Sequence, residues 1–319
     1  MLSWFLMLVG FLFLIYGANM LVDGASSLAK KLDIPAIVIG LTIVAFGTST
    51  PELVVNIFAS FSKNSDIALG NIIGSNIFNI LGILGLSAVV FPLTVKSNTT
   101  WIEIPLCILS AVIVFIVAND VLITKVGVSL IDRIDGIVLL FFFVIFLVYN
   151  VQLMKSGGFE EEVSVKEYSL LVAILFIFFG LGLLFIGGKM VVTYAVEVAR
   201  SFGIPQRIIA LTIVSIGTSL PELMTSVVAA FKKNTDIAIG NIVGSNIFNV
   251  FFILGLSAVI YPVGLQKGSN MDMGVNILAS LLLFLFVFTG RGRKLERWEG
   301  GVFLFLYFLY VSLLIALRA

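Results

Sequence analysis

Residues 40–53 read GLTIVAFGTSTPEL and residues 210–223 read ALTIVSIGTSLPEL; downstream of each, DIALGNIIGSNIFN at 66–79 is matched by DIAIGNIVGSNIFN at 236–249. Sliding the chain on itself by 170 positions aligns Pro35–Pro92 with Pro205–Pro262 without a gap, at 36 of 58 positions, which chance does not give. Outside this block the match thins but persists. Gly17 and Met20 face Gly187 and Met190, and at an offset of 164 Arg133 and Gly136 face Arg297 and Gly300. Self-similarity at a fixed offset speaks first to architecture, and here it divides the chain into two related halves.

The medium around those halves follows from composition. Of 319 residues, 60% are apolar and 12% charged, against roughly 45–50% and 25% in a soluble domain. The apolar residues come in blocks long enough to cross a bilayer, about 20 helical residues each. Hydropathy and polar breaks predict spans near 3–22, 35–60, 67–91, 101–118 and 134–154, then 168–194, 206–230, 237–261, 272–289 and 299–317. The first block is read as a span and not a cleaved signal, because it runs into Asn19 and a Leu21–Gly24 turn with no basic region ahead of it. The one clearly hydrophilic stretch, Lys155–Glu167, separates the halves and holds Glu160, Glu161 and Glu162 in a row. The expected organisation is a first five-helix repeat over 1–154, an inter-repeat loop over 155–167 and a second repeat over 168–319. Five spans per half is an odd number, so the second half enters the membrane inverted. Ten helices in two inverted five-helix repeats, an all-α integral membrane fold, is the architecture of secondary transporters, whose sites lie near the midplane on helices broken by Gly or Pro. Pro51 and Pro221 supply the breaks. Eleven Lys and Arg fall in one set of alternate loops against eight in the other, which places both termini outside the cell.

Charge and rare residues exclude most other functions. A net charge of +1 offers no field to attract nucleic acid. There is no histidine, and Cys107 is the single cysteine. That removes disulfide frameworks, Cys/His zinc sites and every Ser-His or Cys-His nucleophile pair, and no paired intramembrane Asp motif suggests a protease. The chain is read as a non-enzyme without a resident cofactor, with no obligate protein partner in evidence. Arg291–Glu299 reads as a solvated charge run, and Asp66 and Asp236 as helix-dipole caps at helix starts.

The chemistry resides in what the matched block buries. Glu52 and Glu222 sit inside apolar segments, where an ionised side chain costs about 2.5–3.5 kcal/mol even on the mildest scale. No Lys or Arg lies between Asp33 and Lys63 or between Arg207 and Lys232, and the partner helices 67–95 and 237–265 have none either. A proton or a cation from water must compensate each carboxylate. Thr48 and Thr218 stand four residues before the Glu, on the same helical face. Pro51 cannot donate to the Gly47 carbonyl and crowds it, which is expected to free backbone oxygens of this turn, Ala45 among them, as in the second copy around Ser215 and Gly217. Asn71, Ser75 and Asn79, with Asn241, Ser245 and Asn249, recur at four-residue spacing as a polar stripe. Interhelical hydrogen bonding is the alternative reading for Asn71 and Asn241. Gly70 and Gly74, with Gly240 and Gly244, make small-xxx-small surfaces for close helix approach. Carboxylate, hydroxyl and carbonyl oxygens are what Ca²⁺ prefers, and Na⁺ accepts the same set.

The linked signatures GTSTPEL with GSNIFN, and GTSLPEL with GSNIFN, resemble those of the cation/calcium exchanger superfamily, and the short inter-repeat loop is most similar to its prokaryotic sodium/calcium exchanger branch. The resemblance implies the sodium/calcium exchanger fold in a prokaryotic cell membrane and four cation sites. One Na⁺ site would use Glu52, the Ser215 carbonyl, Thr218 and Ser245; another the Ala45 carbonyl, Thr48, Ser75 and Glu222. Ca²⁺ would lie between them on Glu52, Glu222, Thr48 and Thr218, with Asn79 and Asn249 completing the middle. Asn249 stands where several relatives carry Asp, which argues against K⁺ coupling. The resemblance further implies that the first and sixth helices slide over a fixed core, for which the run Gly180, Gly182, Gly187, Gly188 offers a smooth surface. Ca²⁺/H⁺ exchange by the same fold is the nearest alternative, and a cation channel the alternative of another class.

Overall fold

The computed structural model describes residues 2–63, 65–119, 129–156, 166–202, 215–266, 268–290 and 292–318. Its helices are α1 (Leu2–Leu32), α2 (Ala36–Thr48), α3 (Thr50–Phe61), α4 (Ser65–Ile77, continuing through Phe78–Leu84 to Gly85–Val90), α5 (Thr99–Ala118), α6 (Arg133–Ser156), α7 (Leu170–Ser201), α8 (Leu220–Phe231), α9 (Thr235–Ile260), α10 (Ser269–Phe286) and α11 (Arg297–Arg318). Among the described residues eight helices are long and apolar enough to cross a membrane, or nine if α2 and α3, bent by 48° at Ser49, form one span. The protein is a multi-span, all-helical membrane protein. The first part of the 206–230 span and most of the inter-repeat loop, Glu160–Glu162 included, lie outside the described residues. Two departures from pure helix are two-residue antiparallel strand pairs: β1 (Leu93–Thr94) with β4 (Lys294–Leu295), and β2 (Leu130–Ile131) with β3 (Val263–Gly264).

α1 runs ten residues past the predicted end at 22 and does not turn at Leu21–Gly24. With 31 residues at about 1.5 Å each it reaches about 46 Å, longer than the hydrocarbon core, and α7 is as long. Glycine does not end the helix because here it serves packing. A Cβ on Gly17 would sit 2.8 Å from the Gly180 carbonyl, one on Gly24 2.8 Å from that of Ala173, and one on Gly187 2.7 Å from that of Gly10. α1 and α7 thus touch backbone to backbone along their length. Asp23, in the supposed turn, pairs with Lys232 at 2.7 Å, and Asn234 donates to Ser26 at 2.8 Å. At the same end Lys30 pairs with Glu167 at 3.0 Å and holds its exposed carboxyl below the usual range.

α4 and α9 form the centre, with 83% of their membrane-length windows buried against 39% or less in the other six. α9 crosses α2 closely: a Cβ on Gly244 would meet the Leu41 carbonyl at 2.6 Å, and one on Gly240 the Ile37 carbonyl at 3.0 Å. The predicted small-residue surface therefore acts as expected in the second half. The cap of α9 is Asn234, whose side chain accepts from the Ile237 N–H at 3.1 Å. Asp236 lies in the first turn and pairs with Lys96 at 2.9 Å, so its favourable place at the dipole is joined to a tether and does not replace the cap.

Candidate cation site

Ser49 (φ −80°, ψ 9°) and Ser219 (φ −88°, ψ 9°) sit outside helical geometry, each immediately before a helix whose first turn carries the proline. Proline is welcome there because that N–H has no intrahelical partner. The break turns each serine side chain toward the other half. Ser219 donates to Glu52 Oε1 at 2.9 Å and meets the Ser75 hydroxyl at 3.0 Å; Ser49 donates to Glu222 Oε1 at 2.9 Å and meets the Ser245 hydroxyl at 2.9 Å. Each buried glutamate is therefore held by a serine from the opposite copy. Sequence reasoning missed Ser49 and Ser219, although both lie between the invariant Thr and Pro of GTS-x-PEL.

Around this crossed pair the structure gathers most of the predicted residues. Ser75 donates to Glu52 Oε1 at 3.3 Å, while Thr48 and Thr218 bond Asn241 and Asn71 across the halves. Glu52, Glu222, Thr48, Ser75, Ser245, Asn79, Asn249 and Ala45 are all 1% exposed or less. Among the described residues neither carboxylate forms an ion pair with a Lys or Arg. Ser215 begins a short helical turn, Ser215–Gly217, ahead of the second break. The Ala45 carbonyl is less bare than the proline argument predicted: it still accepts the Ser49 N–H at 3.0 Å, as well as the hydroxyls of Thr48 at 3.3 Å and Ser245 at 3.5 Å. Pro51 removes only the bond it would itself have made.

Asn241 and Asn71 bridge helices. Thr48 donates to Asn241 Oδ1 at 3.0 Å while Asn241 donates to the Glu222 carbonyl at 3.3 Å and to Ser226 at 2.9 Å. Thr218 lies 3.5 Å from Asn71 Oδ1, and Asn71 donates to Asn56 Oδ1 at 2.8 Å. With its one proton shared between Asn241 Oδ1 and the Ala45 carbonyl, the Thr48 hydroxyl keeps lone pairs for another partner. Of the ten buried side-chain oxygens without a hydrogen-bond partner among the described residues, four belong to the predicted site residues: Glu52 Oε2, Glu222 Oε2, Asn79 Oδ1 and Asn249 Oδ1. Buried polar atoms are nearly always satisfied, so a concentration of bare acceptors points to a positive ligand. Asn79 lies in the π-helical stretch Phe78–Leu84 and Asn249 opens another, Asn249–Leu254; such bulges recur at functional sites. A cavity of about 260 Å³ beside Thr48, bounded by both prolines, Leu181, Gly182 and Phe185, separates the breaks from α7.

Comparison with known proteins identifies the family and the fold. The family model described as sodium/calcium exchanger protein matches residues 2–152 and 172–316. The inner membrane protein YrbG of Escherichia coli is 37% identical over 96% of both chains, and the sodium/calcium exchanger MaX1 of Methanosarcina acetivorans 31% identical over 98% of both. A solved structure of the sodium-calcium exchanger NCX_Mj superposes with a TM-score of 0.83 at 31% identity, covering 98% of each chain. A family model matched over nearly the whole chain, and a helical membrane fold shared over nearly its whole length with these proteins, leave one conclusion: the chain belongs to the sodium/calcium exchanger family of membrane cation antiporters.

Proposed function

We propose that the protein exchanges Na⁺ for Ca²⁺ by alternating access, with Glu52 and Glu222 as ligands shared by the competing ions. The observation that carries this is the set of four partnerless buried oxygens, two of them carboxylate, with no Lys or Arg among the described residues ion-paired to either glutamate. Ca²⁺ takes six to eight hard oxygens; Glu52, Glu222, Thr48 and Thr218 supply the core of such a shell, with Asn79 and Asn249 closing the middle. The flanking Na⁺ sites are Glu52, the Ser215 carbonyl, Thr218 and Ser245 on one side, and the Ala45 carbonyl, Thr48, Ser75 and Glu222 on the other. The relatives named as sodium/calcium exchangers support the same ions. The protein carries these ions as cargo and needs no other cofactor.

The architecture we assign is ten spans in two inverted five-helix repeats, 1–154 and 168–319, joined by the loop 155–167 and seated in the cell membrane with both termini outside. It counts α2 with α3 as one crossing and the span predicted over 206–230, of which α8 is described, as another. Mixed pairing across the halves, Ser219 with Glu52 and Ser49 with Glu222, suits a site on a pseudo-twofold axis. α1 and α7, held together along a seam of glycines, are the pair we assign to slide on the core.

Reconstituted protein should take up Ca²⁺ when an outward Na⁺ gradient is imposed. Glu52→Gln and Glu222→Gln should each abolish uptake in folded protein; full activity in either would remove that residue from the site. Uptake driven by a pH gradient in the absence of Na⁺ would instead establish H⁺ as the coupling ion.

A further inference from the structure

Beside the carboxylates lie two asparagines that the ion ligands do not account for. Asn76 and Asn246 occupy equivalent positions in the two GSNIFN copies, and both are 1% exposed. They clasp each other across the centre: Asn76 Nδ2 donates to the Asn246 carbonyl at 3.2 Å, and Asn246 Nδ2 donates to the Asn76 carbonyl at 3.3 Å. Their side-chain oxygens are then taken from the other side, Asn246 Oδ1 by Asn79 Nδ2 at 2.9 Å and Asn76 Oδ1 by Asn249 Nδ2 at 3.0 Å.

The order of these bonds decides which end of each amide faces the site. An amide group has a donor end and an acceptor end of nearly identical shape, and only its partners fix which is which. A backbone carbonyl can only accept. The Nδ2 of Asn246 must therefore face the Asn76 carbonyl, which leaves Oδ1 facing Asn79. Asn79 must answer with Nδ2, and its own Oδ1 is left over, buried and without a partner. The same sequence of constraints runs from the Asn246 carbonyl through Asn76 to Asn249. Turned the other way, Asn79 and Asn249 would present N–H donors to a cation and repel it.

We propose that Asn76 and Asn246 are positioning residues that lock the amides of Asn79 and Asn249 with oxygen toward the ion. The proposal rests on the preceding assignment of Ca²⁺ to this site and adds to it the device that keeps two neutral ligands in the right sense. It predicts a dependence that mere packing lacks. If residue 79 or 249 is aspartate, either end is oxygen and the lock becomes unnecessary.

The test is equilibrium ⁴⁵Ca²⁺ binding to purified protein in detergent without Na⁺, comparing Asn246→Leu in the native background and combined with Asn79→Asp. Asn76→Leu with and without Asn249→Asp is the second pair, should the first fold poorly. In the native background the Leu substitution should weaken Ca²⁺ binding at least tenfold; on the Asp background it should change binding less than threefold. Equal losses on both backgrounds, or no loss on either, would overturn the positioning role while leaving Ca²⁺ at the site. Failure of the unsubstituted protein to bind Ca²⁺ would overturn both the ion assignment and this proposal.

Discussion

Ser219 and Ser49 each spend their one hydroxyl proton on a carboxylate whose second oxygen is bare. A hydrogen bond to a charged group contributes about 1.5–3 kcal/mol. Ser219→Ala or Ser49→Ala should therefore loosen the glutamate that the serine holds and weaken Ca²⁺ affinity roughly 10- to 100-fold, read as the Ca²⁺ concentration for half-maximal uptake. The glutamates themselves were legible in sequence because an acid with no base nearby in an apolar block is an energetic contradiction that a proton or a bound cation must resolve. The serines were not, since a hydroxyl before a proline is equally at home as an ordinary turn residue; which carboxylate it serves depends on the other half of the molecule.

At the scale of elements, the breaks and the glycine seams carry the consequences. An alanine at Pro51 would restore an N–H able to reach the Gly47 carbonyl and remove the ring that crowds it. Pro51→Ala should straighten the 48° bend between α2 and α3, draw Ser49 off Glu222 and lower Na⁺-driven Ca²⁺ uptake, with no loss of thermal stability in detergent. The Gly-rich run of α7, expected to present one smooth surface, divides. A Cβ on Gly180 or Gly187 would meet α1 backbone at 2.7 Å, whereas one on Gly182, which borders the cavity, would meet nothing within 4 Å among the described residues, and one on Gly188 only the Pro221 ring at 3.8 Å. Overpacking costs about 1–3 kcal/mol. Gly17→Val or Gly180→Val should lower the melting temperature measurably, and Gly182→Ala should leave it unchanged. Periodicity located these glycines on one helix, but which of them face a neighbour depends on helix rotation, which the pattern of a nearly uniform apolar helix does not set.

For the molecule as a whole, the proposed Na⁺/Ca²⁺ exchange would be electrogenic. Two carboxylates neutralise one Ca²⁺, while more than two Na⁺ leave the loaded carrier positive. An imposed membrane potential should then accelerate or retard Ca²⁺ uptake at a fixed Na⁺ gradient, according to its sign, in proteoliposomes clamped with an ionophore. Uptake that ignores the potential would show that as much charge leaves as enters. Glu52 on α3 and Glu222 on α8 are each 1% exposed, set beside α4 and α9, the two helices most enclosed by the rest.

The sequence by itself determined that the chain lies in a membrane, that its two halves descend from one unit, and that Glu52 and Glu222 with their hydroxyl and amide neighbours form the polar interior. Those facts follow from composition, from identity at a fixed offset and from the cost of burying charge, all of which are local or additive. The tertiary structure alone decided that the serines reach across to the opposite glutamate, that α1 continues through Gly24 to lie along α7, that Asn234 and not Asp236 caps α9, and that Asn76 and Asn246 orient the amides beside them. Each of these is a contact between residues well over a hundred positions apart, or a choice among local partners settled by such contacts. Hydrogen-bond direction and helix rotation are fixed only when both partners are in place.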